Sequence, residues 1–395
     1  MQNYSGNGKA NPVDVLRRPF FFWSLPFIFL YFGLPIISKE FGANAVEIGG
    51  LFSVFTAATL LLRPLIGWSV DRFGRKLFFV TALVIYALAM GLFAAADSMT
   101  WLYAARLTQG IGSAFLWTAA NTLVADLTAV GERGKALGQI NQITSQGGMI
   151  GVMAASLLLF ILPDSLGWRY SFIAFTLLTL FSAWLAWKTI PDPRPVRLKQ
   201  RPKWVLSAPL AKLLVVVFIT GIPEAMLAPI YLTYLQDKFT TDAGTLAWAF
   251  FPAGLVAAFF STRLGSLSDR FGRAPMLAAG LLGSGVISLF MPGLPSLIWL
   301  AVLYTLTTIL LTIAEPAEIA MVADLVGSDR RGAGYGVYDF IENLGLTIGP
   351  VLGGLLYDSL GKAVPFYLNG VILIFSALWV YGLLRKDSPP VISAE

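Results

Sequence analysis

The sequence predicts an all-α integral membrane protein with twelve transmembrane helices in two pseudo-symmetric bundles of six. Three observations carry this prediction. Hydrophobic residues make up 56% of the 395 residues and charged residues only 13%, whereas a soluble chain carries about 25% charged residues. Apolar runs of about 20 residues, the length that crosses a bilayer, recur along the chain. A motif in the first half also returns in the second half.

Twelve apolar runs are each long enough for one membrane-spanning helix. We number the predicted spans in chain order as residues 19–38, 46–70, 77–96, 100–124, 137–162, 168–187, 210–235, 244–268, 275–293, 296–323, 334–357 and 363–384. An even number of crossings places both termini on the same side of the membrane.

An internal repeat divides these spans into two sets of six. The residues Asp71-Arg72-Phe73-Gly74-Arg75 return 198 positions later as Asp269-Arg270-Phe271-Gly272-Arg273. The same offset relates further identical residues: Asp126 and Asp324, Gly134 and Gly332, Gly138 and Gly336, Gly147 and Gly345, and Gly151 and Gly349. One register held over this distance indicates a tandem duplication.

The distribution of Lys and Arg predicts the orientation. Twenty-one of them fall in the two tails and the loops on one side, and only Lys39, Arg169, Lys238 and Lys362 fall in the loops on the other. Cationic loops remain in the cytoplasm, so we expect both termini to be cytoplasmic. The net charge of +6 then reflects topology, and we expect no nucleic-acid partner.

The spans and loops define five segments. We predict a cytoplasmic tail over residues 1–18, a first six-helix bundle over 19–189, a cytoplasmic linker over 190–208, a second bundle over 209–385 and a cytoplasmic tail over 386–395. Proline and cationic residues alternate in the linker, which keeps it extended at the membrane surface. A hinge and a passive tether are both open interpretations.

Two missing residue types limit the chemistry. The sequence has no cysteine and no histidine, which excludes disulfides and thiol chemistry. A proton handled near neutral pH would therefore be carried by Asp or Glu. We expect no metal, no cofactor and no enzymatic activity, since the sequence has no nucleotide-binding loop and no Ser-His-Asp arrangement. No removable signal peptide is predicted.

Three motifs together resemble the major facilitator superfamily of transporters over nearly the whole chain. The loop after the second span matches the family's cytoplasmic signature, and its echo follows the eighth span. The fourth span carries Arg106 ahead of Gly110 and Gly112. The eleventh span carries a glycine–proline element formed by Gly345, Gly349, Pro350, Gly353 and Gly354.

The resemblance is greatest to bacterial drug/proton antiporters, with one departure. Those proteins usually carry the glycine–proline element in the fifth span, whereas here the fifth span has Val152 at that place and the eleventh span has the proline. The resemblance implies alternating access between two six-helix bundles, in a bacterial inner membrane.

The two repeated loops are interpreted as a gating motif made of Gly67, Asp71, Arg72, Gly74, Arg75, Asp269, Arg270, Gly272 and Arg273. Glycine permits a tight reversal of the backbone, and the arginines can bind anionic headgroups. Asp71 could face the positive N-terminal end of a neighbouring helix, which the resemblance implies is the eleventh span. Alternatively, these residues only set topology and turn geometry.

Ionisable residues inside the spans are candidates for function because each is costly in a membrane unless paired or solvated. The predicted proton-coupling residues are Arg106, whose role the resemblance implies, and Glu224, Glu315, Glu318, Asp339 and Glu342. Two pairs of acids, in the tenth and eleventh spans, have i, i+3 spacing and are expected at similar depth. The alternatives are a paired structural network that includes Arg263, and a structural pair of Arg106 with Asp97.

Polar and aromatic residues within the spans are candidates for the substrate cavity: Tyr31, Trp117, Asn121, Asn141, Gln142, Tyr231 and Tyr338. The alternatives are hydrogen bonds between helices and aromatic belts at the membrane interface.

The leading hypothesis is proton-coupled efflux of amphipathic small molecules, a multidrug-type antiport driven by the proton gradient without a cofactor. The expected partners are a small-molecule substrate, protons and the lipid bilayer, and the protein is expected to be a monomer. A carrier for one specific solute, such as a sugar, a metabolite or a lipid, is the alternative. A transporter-like sensor is a third possibility, which would bind a ligand without moving it.

Overall fold

The structure, a computed structural model, describes residues 14–128, 133–162, 164–191, 207–326 and 331–384. Most of the predicted linker and of both predicted tails lies outside these ranges. The helices are α1 Asp14–Glu40, α2 Ala45–Phe73, α3 Arg75–Ala95, α4 Met99–Leu127, α5 Arg133–Ile161, α6 Asp164–Thr189, α7 Ala208–Lys238, α8 Ala243–Gly265, α9 Leu267–Phe271, α10 Arg273–Phe290, α11 Leu297–Val326, α12 Arg331–Leu360 and α13 Val364–Trp379. Short helical turns follow α10 at Met291–Gly293 and α13 at Val380–Leu384.

The twelve long helices coincide with the twelve predicted spans. Helices α1 to α8 are the first eight, α10 to α13 are the last four, and the short α9 lies in the repeated loop after the eighth span. Among the described residues, ten of them are long and apolar enough to cross a membrane. The other two, α4 and α5, are 29 residues long and carry more polar side chains. The predicted all-α membrane fold is confirmed.

The chain forms two compact units that divide between Leu198 and Lys199. The exception is Ser38–Thr56, the end of α1 and the start of α2, which belongs to the second unit. We call these unit 1 and unit 2.

In unit 1, α3 packs against α4 and α6, and α5 packs against α6. An aromatic cluster joins α1, α3 and α6. The rings of Trp168 and Phe172 are 4.3 Å apart between centroids, and both contact Phe29 and Phe93. Trp168 Nε1 donates a hydrogen bond of 2.8 Å to the carbonyl oxygen of Phe93, so its buried N–H is satisfied.

In unit 2, α12 packs along α7, α10 packs against α11 and α13, and α11 packs against α8. The core between α7, α10, α11, α12 and α13 contains fully buried apolar residues such as Leu213, Leu277, Ala317 and Val380. Tyr338 of α12 enters the same core with 7% of its surface exposed.

Glycines bring two pairs of helices into backbone contact, one pair in each repeat. A Cβ atom on Gly151 of α5 would overlap the carbonyl oxygen of Leu25 of α1. A Cβ atom on Gly349 of α12 would overlap the carbonyl oxygen of Ile222 of α7 in the same way. Small residues allow helices in a membrane to approach this closely. The glycine-rich element therefore serves helix packing in both repeats.

Candidate functional site

Both repeated loops turn at a glycine with a positive φ angle. Gly74 between α2 and α3 has φ 103° and ψ 150°, and Gly272 between α9 and α10 has φ 92° and ψ 142°. Residues with a side chain rarely adopt this conformation. The backbone geometry therefore explains why glycine stands at both positions.

The arginine that follows each of these glycines forms an ion pair inside its own unit. Arg75 Nε lies 2.9 Å from Asp126 Oδ2 and joins the start of α3 to the end of α4. Arg273 pairs with Asp324 and also donates a hydrogen bond of 2.8 Å to the carbonyl oxygen of Ala320 on α11. The two ion pairs are copies of each other, because both partners are related by the repeat offset.

The first of these ion pairs is expected to be the more important for stability. The side chains of Arg75 and Asp126 are 5% and 19% exposed, against 29% and 28% for Arg273 and Asp324. Asp126→Asn removes the negative charge that pairs with the buried guanidinium of Arg75, which should lower the free energy of unfolding by about 3 kcal/mol. Asp324→Asn, the matched control, affects a more solvated pair worth roughly 1 kcal/mol. The thermal unfolding midpoint of the detergent-solubilised protein should fall further for Asp126→Asn, and an equal or larger fall for Asp324→Asn would contradict this.

The remaining residues of the proposed gating motif lie at the ends of α2 and α9. The side chains of Asp71 and Asp269 lie outside the described part, so the role of these acids as a gate stays a prediction. Arg72 and Arg270 are exposed, where a guanidinium can reach lipid headgroups. Gly67, within α2, has open space where a side chain would begin.

Arg106 is buried within unit 1, with 3% of its surface exposed. Its Nη1 donates a hydrogen bond of 2.9 Å to Oε1 of Gln109, one turn further along α4, which is 2% exposed. The hydroxyl groups of Tyr86 on α3 and Tyr31 on α1 lie close enough to interact with the guanidinium electrostatically. A buried cation is thus held among polar side chains from three helices.

Three carboxyl groups in unit 2 lie within electrostatic range of a fourth, that of Glu318. Glu318 of α11 lies within electrostatic range of Glu315 on the same helix, Glu224 of α7 and Glu342 of α12. The Tyr338 hydroxyl donates a hydrogen bond of 3.0 Å to Oε1 of Glu318. Glu224 and Glu315 are exposed, whereas Glu318 and Glu342 are half-buried. We call these four residues the carboxyl cluster. Acids this close repel one another when all are ionised, so the cluster favours bound protons or a bound cation.

Asp339 and Arg263, which the sequence associates with these acids, are not part of the carboxyl cluster. Asp339 is half-buried on α12, and its backbone carbonyl accepts a hydrogen bond from Asn343. Arg263 is exposed in the last turn of α8. Among the described side chains it forms no ion pair with the carboxyl cluster, so the structure does not show the alternative of a paired network through Arg263. The reason is position, because α8 carries this arginine to its exposed end.

Comparison with known proteins decides the family. The profile of the Major Facilitator Superfamily matches residues 20–216 and again residues 213–395, which together cover nearly the whole chain. The chain belongs to the major facilitator superfamily. The double match also agrees with the repeat, since each half resembles the family by itself.

Other members of the superfamily resemble the chain over most of its length. Multidrug resistance protein 1 of Bacillus subtilis is 24% identical over 349 residues, which is 86% of this chain and 87% of that protein. Multidrug resistance protein MdtG of Escherichia coli is 25% identical over 393 residues, 93% of this chain and 92% of that protein. The predicted resemblance to the bacterial drug-antiporter group is confirmed.

A solved structure supports the fold. The crystal structure of a bacterial homologue of the human lysosomal transporter Spinster, in an inward-facing and occupied conformation, has a TM-score of 0.77. It covers 97% of this chain and 100% of its own at 19% identity. Together with the family match, this makes the chain a multi-pass membrane protein with the fold of that transporter.

The candidates for the substrate cavity in unit 1 lie on three helices. Asn121 of α4 and both Asn141 and Gln142 of α5 are exposed, as is Tyr31 of α1 with 50% of its surface. Trp117 of α4 is half-buried, and its ring packs 5.9 Å from Phe20 and 5.8 Å from Trp23. The polar candidates are thus not used in close packing, whereas Trp117 is partly engaged in it, and their role in a substrate cavity stays a prediction.

The two tyrosine candidates in unit 2 differ from the prediction. Tyr231 is 8% exposed, and its ring packs 5.0 Å from Tyr304 and 5.3 Å from Phe366. Its hydroxyl donates to the sulfur of Met291 at 2.8 Å. Tyr231 therefore supports helix packing instead of lining a cavity, because this face of α7 turns towards α11 and α13. Tyr338 is also buried, but its hydroxyl reaches the carboxyl cluster.

Sequence reasoning missed three residues with clear structural roles. Gln109 was not singled out, although its i, i+3 spacing from Arg106 places it on the same face of α4. The pairing of Asp126 and Asp324 with the loop arginines was also missed. The repeat contained the signal, because it conserves both the arginine and the aspartate at one offset.

Proposed function

We propose that this transporter exports amphipathic small molecules in exchange for protons, by alternating access. The observation that carries the proposal is the carboxyl cluster, which places four acids from three helices of unit 2 within electrostatic range. In a chain without histidine, a carboxyl group is the proton carrier available near neutral pH. The names of the relatives, which are multidrug resistance proteins, support export and a broad substrate range.

The electrostatics of the cluster explain how protons and substrate would exchange. Carboxyl groups that share a site release their protons in coupled steps. A cationic or polar amphiphile near the cluster favours the ionised carboxylates and promotes proton release. A proton arriving in its place removes that attraction and promotes release of the substrate. Arg106, buried in unit 1, is proposed to take part in the coupling through its fixed positive charge.

We further propose that the protein works as a monomer in a bacterial inner membrane with both termini in the cytoplasm. The charge bias of the loops supports this orientation. Neither a metal nor a cofactor enters the proposed cycle, because the proton gradient supplies the free energy.

Proton release from acid-loaded inverted vesicles tests the antiport directly. A pH-sensitive dye should report proton release when lipophilic cations or neutral amphiphiles are added to vesicles that contain the protein. Arg106→Ala should abolish the response, because it removes the buried positive charge that we propose takes part in proton coupling. Arg169→Ala, which removes an exposed arginine on α6, is the control and should keep the response.

A negative result would have a definite meaning. If no compound releases protons from vesicles shown to contain folded protein, antiport of amphiphiles is excluded. Counterflow with labelled sugars, metabolites and lipids would then identify a specific-solute carrier.

Tyr338→Phe tests the hydrogen bond to the carboxyl cluster. Loss of the hydroxyl removes one donor from Glu318 and is expected to lower proton-coupled flux about tenfold, the effect of roughly 1.4 kcal/mol. The amount of folded protein should not change, because phenylalanine fills the same volume. Tyr304→Phe, on the aromatic contact with Tyr231, is the matched control. Equal flux in Tyr338→Phe and the control would exclude a role for this hydroxyl.

A further inference from the structure

The first turn of α2 is held by a carboxylate from another helix. The backbone N–H groups of Ala45 and Val46 donate to the carboxylate of Asp358 on α12, at 3.3 and 2.9 Å. Asn44 and Glu47 cap the same turn locally by exchanging backbone-to-side-chain hydrogen bonds, each 2.9 Å long. Asp358 thus supplies the acceptor that the first two N–H groups of α2 need.

A second carboxylate, that of Asp237 at the end of α7, accepts hydrogen bonds from three donors. Lys39 Nζ lies 2.8 Å from Oδ1, and the Tyr357 hydroxyl donates to Oδ2 at 2.8 Å. Lys362 Nζ lies 3.2 Å from the same Oδ2. The side chain of Asp237 is only 19% exposed, so these donors replace much of its hydration.

Next to these two carboxylates, α2 and α12 pack with their backbones in contact. A Cβ atom on Gly49 would overlap the carbonyl oxygen of Pro350, and one on Gly354 would overlap the backbone of Ala45. Further along α2, Thr56 Oγ1 donates a hydrogen bond of 3.3 Å to the carbonyl oxygen of Leu346. Close packing of this kind switches between discrete arrangements and does not deform continuously.

We propose that these contacts form an outer lock. The segment Ser38–Thr56 closes against α7 and α12 through Asp237 and Asp358, and it parts from them each time the transporter opens on the side away from the repeated loops. All of these residues lie in unit 2, although the segment belongs to the first repeat of the sequence. Alternating access moves one repeat against the other, so a contact that joins residues of both repeats has to be broken and remade in every cycle. The lock rests on the alternating access of the proposed function but on neither protons nor a particular substrate, so the labelling test below can fail or succeed independently of the antiport test.

The cysteine-free sequence allows a direct test by thiol labelling. Ser53 lies on the same face of α2 as Gly49 and Thr56 and is 8% exposed, so Ser53→Cys should be labelled only when the lock opens. The probe is a membrane-impermeant maleimide added to intact cells. Asp237→Asn and Asp358→Asn, each combined with Ser53→Cys, are expected to raise the labelling rate about fivefold to tenfold, because each removes a charged hydrogen-bond acceptor.

Two controls make the test decisive. Asp242→Asn removes a carboxylate just beyond α7 that is exposed and bonded to the N–H group of Thr245, and its labelling rate should stay within about twofold of the parent, as for a surface substitution. Ser284→Cys, at a buried site on α10, should stay unlabelled in the same backgrounds. The lock would be overturned if Ser53→Cys were labelled no faster with Asp237→Asn and Asp358→Asn than with Asp242→Asn. It would also be overturned if the labelling rate of Ser284→Cys rose by the same factor as that of Ser53→Cys. If Asp237→Asn fails to reach the membrane, Lys39→Gln breaks the same ion pair from its other side and carries the same expectation.

Discussion

Replacing Glu224 or Glu315 with glutamine is expected to reduce gradient-driven efflux to the level of vesicles that lack the protein. Glutamine keeps the shape and polarity of glutamate but cannot bind and release a proton. The two side chains lie within electrostatic range of each other, on α7 and α11, and neither is closed off by close packing. Removing one titratable group should therefore uncouple the proton from the substrate.

The measurement compares two kinds of flux in the same vesicles. Gradient-driven efflux should be lost, while exchange of substrate at equal pH on both sides should continue, because it needs no net proton movement. Asp97→Asn, which removes an exposed acid between α3 and α4, should retain both fluxes. Full coupled activity in Glu224→Gln and in Glu315→Gln would remove these two acids from the mechanism.

Gly349→Val is expected to prevent stable packing of α12 on α7. The new side chain would overlap the carbonyl oxygen of Ile222 and crowd Ala225. Forcing extra carbon atoms into a packed interior costs about 1–3 kcal/mol and sometimes more. A clash with backbone lies at the upper end of that range, because backbone cannot rotate away as a side chain can.

Gly336→Val on the same helix is the matched control. Gly336 has open space where a side chain would begin, so valine there should leave folding unchanged. Size-exclusion chromatography and thermal unfolding of the solubilised protein should show loss of folded material for Gly349→Val only. Equal stability of the two variants would mean that α12 can shift away from α7 without cost.

Helix positions were predictable because about 20 apolar residues are needed to cross the membrane, and polar residues mark the turns between them. The same kind of apolar run predicted α4 and α5, although both carry more polar side chains. The end of α8 was less predictable. The sequence indicates a span to residue 268, whereas the helix ends at Gly265 and a separate turn, α9, follows. An apolar run carries no signal for a one-residue break such as the one at Ser266, between α8 and α9.

Side-chain partners were harder to predict than helices, because a sequence shows which residues share one helix face but not which helix that face meets. The i, i+3 rule placed Glu315 with Glu318. It could not show that Tyr338 donates to Glu318 or that Tyr231 turns into the core. The ion pair of Arg75 with Asp126 likewise depends on the packing of α3 against α4. Where two copies of a pair exist, the repeat offset is the signal that recovers it.

The contact of Lys39 with Asp237 has a consequence for how a duplicated chain diverges. These two residues are 198 positions apart, so they are equivalent places in the two copies. Identical charged residues at two places in direct contact would repel each other, whereas Lys39 and Asp237 attract. The geometry therefore favours different residues at these two equivalent places. Arg75 and Arg273 instead pair with aspartates of their own copies and stay identical. In this chain, contacts inside one copy can thus use the same pair of residues twice, whereas a charged contact between equivalent positions requires the two copies to differ.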